Sequence, residues 1–289
     1  MRSSLGGTEP RRTIIVLRVP EPERSSWPII VGGAHRSGTS LVRRILDSHS
    51  RIYCGPEVKF FPDLYGDGKR DEFLQHFMST ARTLVEADEL QEILAPAFIA
   101  LHERAARTAG KVRWADKAPE NVLFCEKWQE LLADRWLLVH VLRNPLDTIA
   151  SIRRAGFVDV PTDLTAQILH YRAYAEAGFK FAAECPERYR AIVYEQLVAQ
   201  PDETLASLMR WLGERFESQQ LSFNEQPHAV GSEDWKVSFT TRVHAESVDH
   251  WPDSLSRDEA EMVWELTEDL WSQVDPGARF VSLTAADAR

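Results

Sequence analysis

The chain has 289 residues, with 34 lysines and arginines against 44 aspartates and glutamates, a formal net charge of −10. That balance argues against a nucleic-acid partner, which favours a basic surface, yet leaves room for a small anionic ligand held by a few local cations. A hydrophobic content of 44% supplies the core of one large α/β domain, and the odd count of three cysteines, Cys54, Cys125 and Cys185, without metal-ligand spacing, reads as reduced thiols in a reducing compartment.

Residues 1–27 read as an N-terminal extension whose apolar run, Thr13 to Val19, is too short for a membrane span or a signal core and suits an edge strand. From there β-branched or aromatic runs alternate with helical patterns. A strand over Ile29–Val31 leads into a helix over Leu41–Asp47, and a longer helix covers Asp88–Arg107. A strand at Lys111–Ala115 and a helix at Ala118–Leu132 follow, then a nearly continuous apolar strand at Trp136–Leu142. Helices at Leu146–Arg153 and Asp163–Glu184, a strand at Tyr189–Val193 and a helix at Pro201–Leu212 complete the alternation. Residues 217–251 are polar and weakly periodic, as in a long loop or lid, and a last helix spans Arg257–Trp271 with Ser256 or Ser254 as its cap. The pattern predicts an α/β fold: a single domain over residues 28–289, with a central parallel sheet flanked by helices and a P-loop-like nucleotide-binding end. No run approaches a membrane span, and the chain is expected to be soluble and cytoplasmic.

The segment from Pro28 to Ser40, PIIVGGAHRSGTS, carries the clearest chemical signal. A short strand ends in glycine, turns through a polar loop and enters a helix, the layout in which backbone N–H groups and a helix N-terminus face an anion. Gly33 and Gly38 have the spacing of a nucleotide-binding P-loop, but Thr39 and Ser40 stand where that loop has lysine. The cation is Arg36, whose planar guanidinium suits phosphate or sulfate oxygens. The pattern recurs after the Trp136–Leu142 strand: Arg143 at its end, Asn144 as a helix cap, Pro145 in the first helical position and Ser151 two turns on.

The stretch His35-Arg-Ser-Gly-Thr-Ser-Leu41 resembles the donor loop of sulfotransferases that use 3′-phosphoadenosine 5′-phosphosulfate (PAPS), with tyrosylprotein sulfotransferases and their bacterial relatives as the nearest resemblance. The resemblance implies that His35, Arg36, Ser37, Gly38, Thr39 and Ser40 hold the donor, with His35 in place of a proline. It implies that Arg143 and Ser151 grip the 3′-phosphate, and that Tyr194, in Tyr-Glu-Gln-Leu-Val198, lies near the adenosine. It makes Glu57 the general base, in a Cys54-Gly-Pro-Glu57 segment in gapless register with Arg36, and Lys117 the residue that assists the leaving phosphate. Pro56 and Lys59 depart from the family there, Lys59 replacing an arginine that helps read acidic peptides. In the lid the family carries a basic residue before a tryptophan; here it is His250 before Trp251, with Lys236, Arg242 and His244 as other sources of charge and Trp235 as a platform for adenine.

His49 and His228 lack metal-ligand spacing and read as structural, so no metal site is expected. The implied reaction moves a sulfuryl group from PAPS to a hydroxyl and leaves 3′,5′-adenosine bisphosphate (PAP), with Glu57, Lys117 and Arg36 as catalytic residues and no metal. The acceptor stays open among small-molecule, sugar, lipid and peptide hydroxyls, as does the oligomeric state. Two rivals remain: a kinase-like phosphoryl transferase, weakened by the missing lysine after Gly38, and a nucleotide-binding module without catalysis, which would need neither Glu57 nor Lys117.

Overall fold

The computed structural model describes residues 24–65, 80–155, 161–226, 228 and 247–277. The expected strand at Thr13–Val19 and the lid residues Trp235, Lys236, Arg242 and His244 lie outside them.

Five parallel strands form the centre: β1 (Ile29–Gly32), β2 (Ile52–Cys54), β3 (Arg113–Lys117), β4 (Leu137–Leu142) and β5 (Tyr189–Val193), in the order β2-β3-β1-β4-β5. Helices connect them: α1 (Thr39–Asp47), α2 (Phe60–Tyr65), α3 (Ala87–Thr108), α4 (Cys125–Leu132), α5 (Pro145–Ala155), α6 (Leu164–Glu184), α7 (Tyr194–Ala199) and α8 (Pro201–Leu212). The last helices are α9 (Arg257–Glu265) and α10 (Glu268–Trp271). Parallel strands need helical crossovers, so both sheet faces are covered and β1, β3 and β4 are buried along their whole length. One face packs Trp114, Trp128, Tyr171, Tyr174 and Phe181, and the other packs Ile45, Leu46, Leu205 and Met209.

Three expectations shift. The strand expected at Lys111–Ala115 runs instead from Arg113 to Lys117: Gly110 turns with φ 71° after α3, and the pairing of Ile52 with Arg113 sets where the strand begins. The single closing helix is broken, because the buried Thr267 turns its hydroxyl back onto Val263 O (2.6 Å) between α9 and α10. The helix expected at Ala118–Leu132 begins as a 3₁₀ turn over Pro119–Phe124. Ser256 caps α9 as expected, donating from its own backbone to Glu259 and accepting from Glu259 N in a capping box. The three cysteines are free thiols. Among the described residues no helix is long and apolar enough to cross a membrane.

Candidate active site

Each strand delivers one element of the site at its carboxyl end, where ligands bind in open α/β sheets. β1 runs into the loop from Gly33 to Gly38, β2 into Gly55–Glu57, β3 ends on Lys117, and β4 and β5 are followed directly by Arg143 and Tyr194. The register that pairs Val31 with both Lys117 and Val139 sets the loop between Lys117 and Arg143.

The loop is tightly held. Gly33 N donates to Pro119 O (3.0 Å), Ser37 N donates to Ala34 O (3.1 Å), and a Cβ on Gly33 would meet Val141 O at 2.3 Å. Gly38 has φ 105° and packs against the Tyr194 ring, 2.7 Å from a Cβ placed there. Arg36 is a non-glycine residue at φ 72°, the strained left-handed region often stored at binding sites. Two buried donors have no hydrogen-bond partner among the described residues: Ser37 Oγ in the loop and Arg143 Nε beside it. With the first N–H groups of α1, which a helix leaves unpaired, they fit an anionic group.

Arg36 Nε donates to Ser151 Oγ (3.0 Å), so Ser151 is joined to Arg36 where the sequence suggested Arg143 as its companion. Arg143 instead donates from Nη1 to Arg36 O (3.0 Å) and from Nη2 to Ser247 O, with its guanidinium 4.6 Å from the centre of the Tyr194 ring. Burial lowers the Arg36 pKa, and the charges of Arg143 and Arg154 lower it further. Three cations crowd this corner. Asn144 caps α5 by accepting from Leu146 N (2.9 Å), with Pro145 in the first helical position. His250 sits at the surface with Nδ1 toward Asp253 (3.1 Å), while its carbonyl accepts from Arg154 (3.0 Å).

On the other side, Lys117 is fully buried and forms a close ion pair with Glu57 Oε1, its Nζ also lying 3.3 Å from Ser40 Oγ. The base expected from β2 and the ammonium expected from β3 therefore meet at the first turn of α1. Asp116 steadies the end of β3 by accepting from His102 Nε2 (3.1 Å) and Asn121 Nδ2 (2.8 Å), and Asn121 Nδ2 also donates to Val31 O. Burial alone would lower the His102 pKa, but the Asp116 hydrogen bond raises it above its usual value.

Sequence reasoning missed Glu120 and His170. Glu120 Oε1 lies 3.3 Å from Lys59 Nζ and 3.5 Å from His35 Nε2, while Lys59 Nζ is 3.6 Å from Glu57 Oε2. His35 Nδ1 is 3.1 Å from His170 Nε2, and the His35 ring meets Tyr174 edge-on at 5.6 Å. Burial raises the Glu120 pKa, but His35 and Lys59 outweigh it and hold the carboxyl far below the usual range. His170 is pulled down to about 4, by burial first and then by the His35 charge. Glu120 directly after Pro119 at a strand end was the only sequence cue; His170 offered none. His49 and His228 are structural: His49 Nε2 faces Arg215 O (2.9 Å), and His228 bridges Asp47 Oδ2 (2.7 Å) and Phe223 O (2.6 Å). Among the described residues no cluster of three metal-ligating side chains occurs.

A parallel sheet with a glycine-bounded loop after its first buried strand defines a P-loop-like α/β fold. Residues 28–218 match the sulfotransferase family model, and the chain belongs to the sulfotransferase family. It is 25% identical over 194 residues to protein-tyrosine sulfotransferase 1 of Danio rerio, covering 64% of this chain and 52% of that protein. It is 27% identical over 201 residues to the protein-tyrosine sulfotransferase of Drosophila melanogaster, covering 68% of this chain and 40% of that one. The chain thus spans about half or less of the length of these two relatives. In structure it is similar to the sulfotransferase domain of the Synechococcus PCC 7002 olefin synthase, with a TM-score of 0.60 at 18% identity over 84% of this chain and 95% of that one.

Proposed function

We propose that residues 28–289 form a domain that moves a sulfuryl group from PAPS to a hydroxyl acceptor. The observation that carries this reading is the meeting of Glu57, Lys117 and Ser40 at one point beside the glycine loop. Lys117 is held by the Glu57 carboxylate. When PAPS is bound, the same ammonium serves the oxygen that bridges phosphorus and sulfur, where negative charge grows as the S–O bond breaks. Glu57 is then released toward the acceptor. The acceptor oxygen attacks sulfur in line, its proton passes to Glu57, and the electron pair of the broken bond stays on the phosphate of PAP.

The chain's own groups divide the remaining work. Arg36 and the amides of the loop and of α1 hold the phosphosulfate, and the unpartnered Ser37 Oγ and Arg143 Nε gain an acceptor. Arg143 and Ser151 take the 3′-phosphate, and Tyr194, packed on Gly38 and under Arg143, borders the adenosine. His250 and Lys236 are the lid's contributions, Lys236 from outside the described residues. None of these roles calls for a metal ion.

Glu57→Gln tests the base. The amide keeps the shape but accepts no proton, so kcat falls roughly 10²–10⁴-fold, while calorimetry gives an unchanged Kd for PAP. Near wild-type turnover by this variant removes Glu57 from the mechanism.

A further inference from the structure

The groups around Glu57 bear on which acceptor the site selects, if Glu57 is the base. Lys59 is the ammonium on the open side of Glu57: its side chain keeps 20% of its surface, whereas that of Lys117 has none. Lys59 would attract an anionic acceptor if its charge were available. It is flanked by Glu57 Oε2 at 3.6 Å and Glu120 Oε1 at 3.3 Å. Glu120 is in turn held as a carboxylate by Lys59 and by His35, which spends its second nitrogen on His170. Among the described residues Lys59 stands between Glu57 and Glu120, and Lys117 pairs with Glu57 from the buried side. Among the described residues an approaching acceptor thus meets in Lys59 a partly exposed cation already offset from both sides, and a second negative charge brought against Glu57 and Glu120 is repelled.

We propose that Glu120 is a specificity-determining residue that cancels the charge of Lys59, so that the site selects a small hydroxyl compound that is neutral or cationic over one that is anionic. Rejection here rests on a repulsive element, the carboxylate at 120, as much as on any attraction. His35 secures that carboxylate from the donor loop, which ties acceptor selection to the residue beside Arg36.

Three phenols of similar size that differ in charge test this: 4-hydroxyphenylacetamide (neutral), tyramine (cationic) and 4-hydroxyphenylacetate (anionic). Each is assayed for kcat/KM at saturating PAPS, alongside calorimetry of PAP. Wild type is expected to use the amide and tyramine at least about tenfold better than the anion, and Glu120→Gln to narrow that ratio about tenfold by leaving Lys59 offset by Glu57 alone. Lys59→Gln moves the ratio the other way and serves if Glu120→Gln does not fold. Because the comparison is between acceptors, a general loss of fold or donor affinity cancels from it. A ratio unchanged in the variants, or a wild type that prefers the anion, overturns the inference. So does a wild type that binds PAP and sulfates none of the three. Failure of wild type to bind PAP overturns instead the donor reading on which the inference rests.

Discussion

Arg143 shows how much one side chain does at the end of β4. Its Nη1 fixes the carbonyl of Arg36, its plane lies against Tyr194, and Nη2 reaches the carbonyl of Ser247. Nε is the nitrogen left without a partner among the described residues. Arg143→Ala removes a guanidinium from the proposed 3′-phosphate site, and a charge-assisted hydrogen bond of this kind contributes about 1.5–3 kcal/mol. The expected result is a PAP affinity reduced by that amount and an affinity for adenosine 5′-monophosphate nearly unchanged, read by calorimetry. Equal losses for both nucleotides would mean that Arg143 only shapes the loop through Arg36. That alternative is real, because the guanidinium touches the loop backbone directly.

At the scale of elements, α6 and β4 are fitted to each other through Gly178 and His140. A Cβ on Gly178 would lie 2.1 Å from His140 Nδ1, and His140 is fully buried in the central strand with that nitrogen already 3.0 Å from Tyr189 OH. The ring has nowhere to retreat, so Gly178→Ala forces α6 off the sheet. Its cost is that of overpacking, about 1–3 kcal/mol, seen as a lower Tm and midpoint in urea. A stability within error of wild type would show that α6 slides freely. Such fits explain what could be read beforehand. The buried strand at Leu137–Leu142 and the helices at Asp163–Glu184 and Pro201–Leu212 follow from long apolar runs and clear periods. β2 escaped notice because three residues, Ile52–Cys54, carry no period, and α2 and α7 are six-residue helices fixed by their place after strand ends. The glycine loop and Arg143 stand out as candidates because each follows a strand that the sequence announces, and Glu57 and Lys117 stand out through the family resemblance. Glu120 and His170 do not, since their roles arise only when the 3₁₀ turn after β3 and the middle of α6 are brought to His35.

The whole molecule should register its buried histidines in the pH dependence of its stability. Burial holds the His140 pKa at about 3, and burial with the His35 charge holds His170 at about 4, both below the value near 6.5 expected of an unfolded chain. Between these limits the unfolded state takes up a proton that the folded state refuses. The stabilisation by each histidine is therefore complete above pH 6.5 and is lost as pH falls, by about 1.4 kcal/mol per pH unit per group. Other groups oppose this trend: burial raises the carboxyls of Asp147 and Glu195, and His102 is raised by Asp116. The net curve is thus a poor test, but a difference between two proteins is a good one. His140→Gln leaves the opposing groups in place and removes one titrating histidine. Whatever its effect at pH 8, its stability curve measured by urea unfolding should be flatter than wild type from pH 6.5 down to about 4, by about 1.4 kcal/mol per pH unit. Parallel curves over that window would mean that water reaches His140 in the folded protein and that the seam between β4 and α6 is not closed.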